Sequence, residues 1–209
     1  DGQYGMTLRG TAEGRKLVSD DPSELAKPYL LLDGREVKTW SIEWQGRYID
    51  YQPQLISDPK TLEFFQAPKV VLRRISLTSQ AAVDEGTGVS FLARDTVMVV
   101  RSPLKELNDL PYVMAALINS LPTRYYAFLM LRAGVVQKGY STFYPRVIDN
   151  LPVPKGVFKD EGICKKLDEL SHQTHRIAKE MVDGDNNLLK EVDSVVGSDL
   201  IPFAHLTQS

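Results

Sequence analysis

Cysteine is almost missing from this chain of 209 residues and histidine is scarce: there is one cysteine, Cys164, and three histidines. A single thiol excludes an internal disulfide framework, and with scattered histidines it supplies no ligand set at structural-zinc spacing, so no metal site and a reducing compartment are expected. Also missing is any apolar run near the roughly 20 residues needed to span a bilayer, and Asp1–Gly10 lack the basic start and apolar stretch of a secretion signal. The expectation is a cytoplasmic protein, neither secreted nor held in a membrane. The chain opens on Asp1 rather than methionine, which reads as a piece of a longer protein. What is present is ordinary for a folded domain: 43% hydrophobic and 25% charged residues disfavour disorder, collagen-like repeats and continuous coiled coil. The length fits one domain, or one domain with an appendage.

Local spacings that carry catalytic mechanism are absent as well. No phosphate-cradling glycine loop precedes a helix, and no helix turn carries a two-histidine metal motif. The nearest nucleophile is Cys164 with His172 and His175, but on one helix Cys164 and His172 stand roughly 12 Å apart along the axis at about 1.5 Å per residue, too far for a dyad. Cys164 reads as a small, partly buried residue and the histidines as surface groups. The pairs Asp20-Asp21 and Asp84-Glu85 read as solvated turns. No catalytic residue is assigned.

Carboxylates are lacking in one long stretch. The net charge of −2 conceals a basic middle, residues 61–156, with 11 basic and 7 acidic residues, between two acidic flanks. Within it, Arg124, Arg132, Lys138 and Arg146 lie between Asp109 and Asp149 with no acid among them, so any surface they share has positive potential. A plain solvated face is the alternative.

Up to residue 102 the pattern is of short strands, Tyr29–Leu32, Arg47–Tyr51, Lys69–Ile75, Ser90–Ala93 and Thr96–Arg101, separated by turns. Three- and four-residue apolar steps then predict helices over Leu110–Ser120 and Thr123–Ala133, broken at Pro122. Residues 134–150 read as a loop, and the prolines of Leu151-Pro152-Val153-Pro154 force an extended path that reads as a boundary. Beyond it Ile163, Leu167, Leu170, Thr174, Ile177 and Met181 step 4, 3, 4, 3, 4, the seam of a helix from about Glu161 to Val182. A second amphipathic stretch, Leu188–Val196, follows Gly184 and suggests a helical hairpin. The expected fold is therefore α+β: a β-rich domain with packed helices over residues 1–155, then a helical arm over 156–209. Ile163, Leu167, Leu170, Ile177 and Met181 are the expected partner-docking residues.

Three segments combine guanidinium or ammonium groups with aromatics and hydroxyls, the composition of a nucleic-acid surface. In Ala67-Pro68-Lys69-Val70-Val71-Leu72-Arg73-Arg74, alternation sends Lys69 and Arg73 to one face and Arg74 to the other. An arginine fork suits phosphate or the guanine edge, although pairing with a carboxylate such as Asp84 is equally open. In Gln137-Lys138-Gly139-Tyr140-Ser141-Thr142-Phe143-Tyr144-Pro145-Arg146, the glycine and hydroxyls allow close approach to phosphate while Gln137, Lys138 and Arg146 reach outward; an uneventful loop is the alternative. In Gly34-Arg35-Glu36-Val37-Lys38-Thr39-Trp40 with Arg47-Tyr48, a basic loop flanks aromatics that serve the core equally well. The candidate DNA-binding set is Arg35, Lys38, Lys69, Arg73, Arg74, Gln137, Lys138, Tyr140, Ser141, Thr142 and Arg146.

Several of these segments also carry a family resemblance. Tyr4-Gly5-Met6-Thr7, Lys27-Pro28-Tyr29-Leu30, Gly34-Arg35-Glu36-Val37, Arg47-Tyr48-Ile49-Asp50-Tyr51, Phe64-Phe65-Gln66-Ala67-Pro68-Lys69-Val70-Val71-Leu72-Arg73, Ala115-Ala116-Leu117-Ile118-Asn119-Ser120 and Leu151-Pro152-Val153-Pro154 occur in the order and spacing of one family. Over roughly residues 2–155 the sequence resembles the TaqI-like C-terminal specificity domain, the target-recognition part of adenine-specific DNA methyltransferases and of fused restriction-modification enzymes. The seam after residue 162 resembles the helical segment that packs on the methyltransferase part in related proteins. The resemblance implies double-stranded DNA and a methyltransferase portion as partners. It also implies S-adenosylmethionine bound by the parent enzyme rather than by these residues, and a target adenine flipped for chemistry done elsewhere. A module that docks a protein partner through the C-terminal helices is the alternative function.

Overall fold

Two uninterrupted apolar runs, Val70-Val71-Leu72 and Val97-Met98-Val99-Val100, set the architecture, because a strand apolar on both faces needs cover on both. The computed structural model describes residues 2–101, 110–131, 141–151, 153, 157 and 160–182. Among these, the strands are β1 (Gly2–Tyr4), β2 (Thr7–Leu8), β3 (Val18–Ser19), β4 (Pro28–Leu32), β5 (Tyr48–Asp50), β6 (Ile56–Asp58), β7 (Lys69–Arg73), β8 (Ile75–Ser76), β9 (Ala81–Asp84), β10 (Leu92–Ala93), β11 (Val97–Val100) and β12 (Ser141–Thr142). The α-helices are α1 (Ala12–Lys16), α2 (Pro111–Asn119), α3 (Leu121–Leu131), α4 (Pro145–Asp149) and α5 (Glu161–Val182). The class is α+β, as the sequence leads one to expect.

The central sheet, in the order β1-β11-β7-β9, is antiparallel throughout, with Val71 opposite Val99 and Ala82. Side-chain alternation sends Val71, Ala82, Val97 and Val99 into one apolar cluster, where Leu31, Leu32 and Ile49 of a second sheet (β10-β4-β5-β3) cover them together with Phe65. Val70, Leu72, Ala81, Met98 and Val100 enter the other cluster, closed by Tyr112, Ala115 and Ile118 of α2, Ala127 of α3, and Val147 and Ile148 of α4. The result is three layers, sheet on sheet on helices, with β7 at the centre. Each fully buried Val or Leu side chain here contributes about 1.5–3 kcal/mol.

Several expectations shift. The strand read over Lys69–Ile75 divides at Arg74, where β8 turns away to pair with β12, and Ser90–Ala93 shortens to β10. The helical break lies at Ser120, whose ψ of 150° is extended, while Pro122 sits in the first turn of α3, where its missing N–H costs no intrahelical bond. Part of the segment read as loop is ordered as β12 and α4, with Pro145 opening the helix. β9 was not anticipated, since Ala81-Ala82 carries little strand preference. Its placement comes from tertiary bonds: Asn119 at the end of α2 accepts from Ala81 N–H at 3.0 Å and donates to Ala81 C=O at 2.8 Å, both buried. Replacing Asn119 with Leu strands the Ala81 N–H without a partner, so we expect a loss of about 2 kcal/mol, read as a lower urea midpoint.

α5 spans Glu161–Val182 as its seam predicts, and part of its cover comes from the rest of the chain. Leu188–Val196 lies outside the described residues, and the face that carries Thr174, His175 and Ile177 is buried on the rest of the chain. Tyr112 of α2 stacks on His172 and meets His175 edge-on, as does Trp40, whose φ of 74° is unusual for a bulky side chain. Val83 N–H of β9 donates to His175 Nε2 at 3.2 Å, and the ring proton on Nδ1 goes to Ser171 C=O at 2.8 Å. His175 is thus not the surface group the sequence suggested. Ile177, expected to dock a partner, faces inward, whereas Ile163 is exposed and Leu167, Leu170 and Met181 are half-buried. Cys164 is partly buried, as read. Among the described residues no helix is long and apolar enough to cross a membrane, and no three His, Cys, Asp or Glu residues gather to hold a metal.

Candidate nucleic-acid interface

Described parts of the three basic segments meet at one end of the central sheet, the end where β7 finishes. Pairing of β8 with β12 sets Ser76 opposite Ser141 and Ile75 opposite Thr142, and Phe143 N–H donates to Arg74 C=O at 2.7 Å. The segment around Arg73 and Arg74 and the segment ending at Arg146, far apart in sequence, thereby become neighbours. The third segment joins them through Thr96: its carbonyl accepts from Arg74 N–H at 2.9 Å and its hydroxyl from Gly34 N–H at 3.0 Å. Only glycine allows that approach, since a Cβ on Gly34 would lie 2.4 Å from the Thr96 carbonyl oxygen. Asp33 caps the following turn through Arg35 N–H, which leaves the Arg35 side chain exposed and, among the described residues, unbonded.

The arginines at this end have no carboxylate partners among the described residues. Arg74 lies with its guanidinium carbon 4.2 Å from the Tyr4 ring centre and donates to Asp95 C=O at 3.2 Å, while its buried Nε has no partner. Burial pushes the Tyr4 hydroxyl up, against the pull of Arg74, and that hydroxyl donates to Phe143 C=O. Arg73 braces the β7–β9 connection by donating to Ile75 C=O at 2.8 Å and to Gln80 Oε1 at 3.1 Å. Arg146, in the last turn of α4, is exposed. Arg124, in the first turn of α3, is half-buried with an unpartnered Nε, and burial pulls its guanidinium down from the ordinary value. Contacts between α3 and β12 bring it to the same region. Beside the turn of Arg35, Arg47 pairs with Glu36 at 3.4 Å and Arg94 with Asp33 at 3.0 Å, and farther off Lys60 pairs with Asp58 at 3.0 Å.

The candidate set therefore divides. Arg35, Arg73, Arg74 and Arg146 gather at this edge. Lys69 leaves it, because its side chain is wholly buried, ion-paired with Asp84 and bonded to Phe65 C=O at 2.8 Å. Asp84, read as part of a solvated turn, is likewise buried, and burial pulls the Lys69 ammonium down while Asp84 holds it up. Lys38 pairs with Glu43 at 3.4 Å. Thr142 is buried within β12 and contributes backbone, and Ser141 is its strand neighbour. Gln137, Lys138 and Tyr140 lie outside the described residues. Tyr4 and Arg124 were not among the expected contacts; the acid-free run between Asp109 and Asp149 was the signal for Arg124, while nothing local marks Tyr4.

Among the described residues none of the five arginines Arg35, Arg73, Arg74, Arg124 and Arg146 is ion-paired, although Asp33, Glu36, Asp95 and Asp149 stand in the same or adjoining turns. No curated protein matches the chain at a significant level. A family model does match, over residues 29–153, which is more than half of the chain, and it describes a specificity domain rather than a catalytic one. The chain belongs to the TaqI-like C-terminal specificity domain family, membership that implies DNA target recognition for a methyltransferase.

Proposed function

We propose that this chain reads a specific sequence in double-stranded DNA for an adenine-specific methyltransferase of a restriction-modification system. The methyltransferase, with its S-adenosylmethionine, belongs to another part of a longer protein, and this domain fixes where on the duplex that part acts. The observation that carries the reading is the gathering of Arg35, Arg73, Arg74, Arg124 and Arg146 toward one sheet end, none of them ion-paired among the described residues, while Glu36 and Asp33 nearby are taken up by Arg47 and Arg94. Phosphate contacts set register on the duplex, and forked bonds to guanine O6 and N7 select sequence. Arg73 and Arg74, held by backbone carbonyls, are preorganised, so little rotamer entropy remains to be lost on binding. In this reading the outward half of the α5 seam, Ile163, Leu167 and Leu170, meets the methyltransferase part.

Salt dependence tests it. Affinity for duplex DNA should fall steeply between 50 and 200 mM salt, with a slope of about −0.9 for each phosphate neutralised. Arg35→Ala with Arg146→Ala, both exposed and, among the described residues, unbonded through their side chains, should reduce the slope by about 2 and leave thermal melting unchanged. A flat salt response would instead favour the docking module, since apolar burial barely responds to salt.

A further inference from the structure

The connection between β7 and β9 carries an apolar tip that the core does not use. Ile75 is 42% and Leu77 62% exposed, although both follow directly on the arginine pair. The tip is rigid. Arg73 Nε–H donates to Ile75 C=O, Arg73 N–H to Gln80 C=O at 2.9 Å, the Ser76 hydroxyl to Thr78 C=O, and the buried Ser79 hydroxyl to Ile118 C=O at 2.8 Å. The Asn119 clamp on Ala81 closes the far side, and β12 pairs along the near side. A leucine held this far into water on a braced turn gains nothing for folding. Its flanks decide what it meets: Arg73 and Arg74 precede it, Arg146 follows β12, and none of the three is ion-paired among the described residues, so their charge is left for phosphate.

We infer that Leu77, supported by Ile75, is a wedge that enters between two stacked base pairs of the bound duplex while the surrounding arginines hold the phosphates on either side. Apolar side chains inserted in this way unstack a step and kink the helix by about 20–90°, the cost being recovered in added backbone contact. A flexible pyrimidine–purine step is the favoured point of entry, because it unstacks most easily. The inference rests on the DNA-reading function proposed above and adds how the duplex is deformed.

The test uses the full chain and 30-base-pair duplexes recovered from a random pool by binding to it, labelled at both ends for energy transfer. The wild type should bind with a steep salt slope and shorten the end-to-end distance. Leu77→Ser, at an exposed position, should melt like the wild type and keep the slope. It should leave the duplex straight and bind about tenfold more weakly, and Leu77→Met should restore the bend. A Leu77→Ser variant that bends DNA as the wild type does overturns the wedge and assigns Leu77 to a protein contact, with the DNA-reading function intact. A wild type that binds with a steep slope but leaves the duplex straight overturns it equally. A wild type without salt-dependent binding removes both.

Discussion

Asp84→Ala is expected to destabilise the fold by about 3–5 kcal/mol, the usual cost of leaving one charge of a buried pair alone. The carboxylate takes the Lys69 ammonium and three further donors, Gly86 N–H at 3.1 Å, the Ser90 hydroxyl at 2.8 Å and Phe91 N–H at 3.3 Å. Without it Lys69 keeps only the Phe65 carbonyl, in a site from which water is excluded. Urea unfolding measures the loss directly. Replacing the pair together, Lys69→Met with Asp84→Leu, should recover only part of it, because no charge is then left unpaired but the donors of Gly86, Ser90 and Phe91 lose their acceptor. A single variant within about 1 kcal/mol of the wild type would show that water reaches the pair. Lys69→Met alone should lower stability without changing the salt slope for DNA, which separates Lys69 from the arginines of the interface.

Acidification is expected to loosen the contact of α5 with the sheet. Burial against Trp40 and Tyr112, with a smaller push from His172, lowers His175 from 6.5 to about 4. The folded chain thus holds His175 neutral, which it must be for Nε2 to accept from Val83 N–H. The unfolded chain takes up a proton once the pH falls below about 6.5, so it gains stability relative to the fold by about 1.4 kcal/mol per unit down to about 4. The full contribution, roughly 3 kcal/mol, is present above pH 6.5 and gone below pH 4. His175→Gln keeps an acceptor and removes the titration. Urea midpoints at pH 7.5, 6 and 5 should therefore fall more steeply for the wild type than for the variant. Parallel slopes would mean that His175 is protonated in the fold as readily as outside it.

What the sequence disclosed follows the range of the forces concerned. The seam of α5 was readable to its ends because helix periodicity is a local property, and the alternation within β7 was readable for the same reason. Alternation does not say which faces are covered, however. Lys69 and Arg73 share a face in sequence, but Lys69 sits where the second sheet and Asp84 close over it, while Arg73 stands at the open end. β9 was invisible because its placement comes from Asn119 and Val71, residues distant in the chain. His175 reads as a surface residue until Trp40, Val83 and Tyr112 converge on it. The interface shows the same division: composition singled out its segments one at a time, and only the pairing of β8 with β12 and the bonds to Thr96 make them one surface.

Those attachments have an evolutionary consequence. The turn bearing Arg35, the tip bearing Leu77 and the segment leading to Arg146 are fastened by Gly34 N–H to the Thr96 hydroxyl, by the Ser79 hydroxyl and Ala81 N–H to α2, and by Phe143 N–H to Arg74 C=O, never by the three outward side chains. The outward side chains of Arg35, Leu77 and Arg146 take no part in holding their own segments. Surface substitutions of that kind typically change stability by less than about 0.5 kcal/mol. A lineage built on this scaffold can therefore change these three residues one at a time through intermediates that all fold. Under the DNA-reading role proposed above, such changes would shift the preferred site, while Gly34, Ser79, Thr96 and Asn119 hold the scaffold.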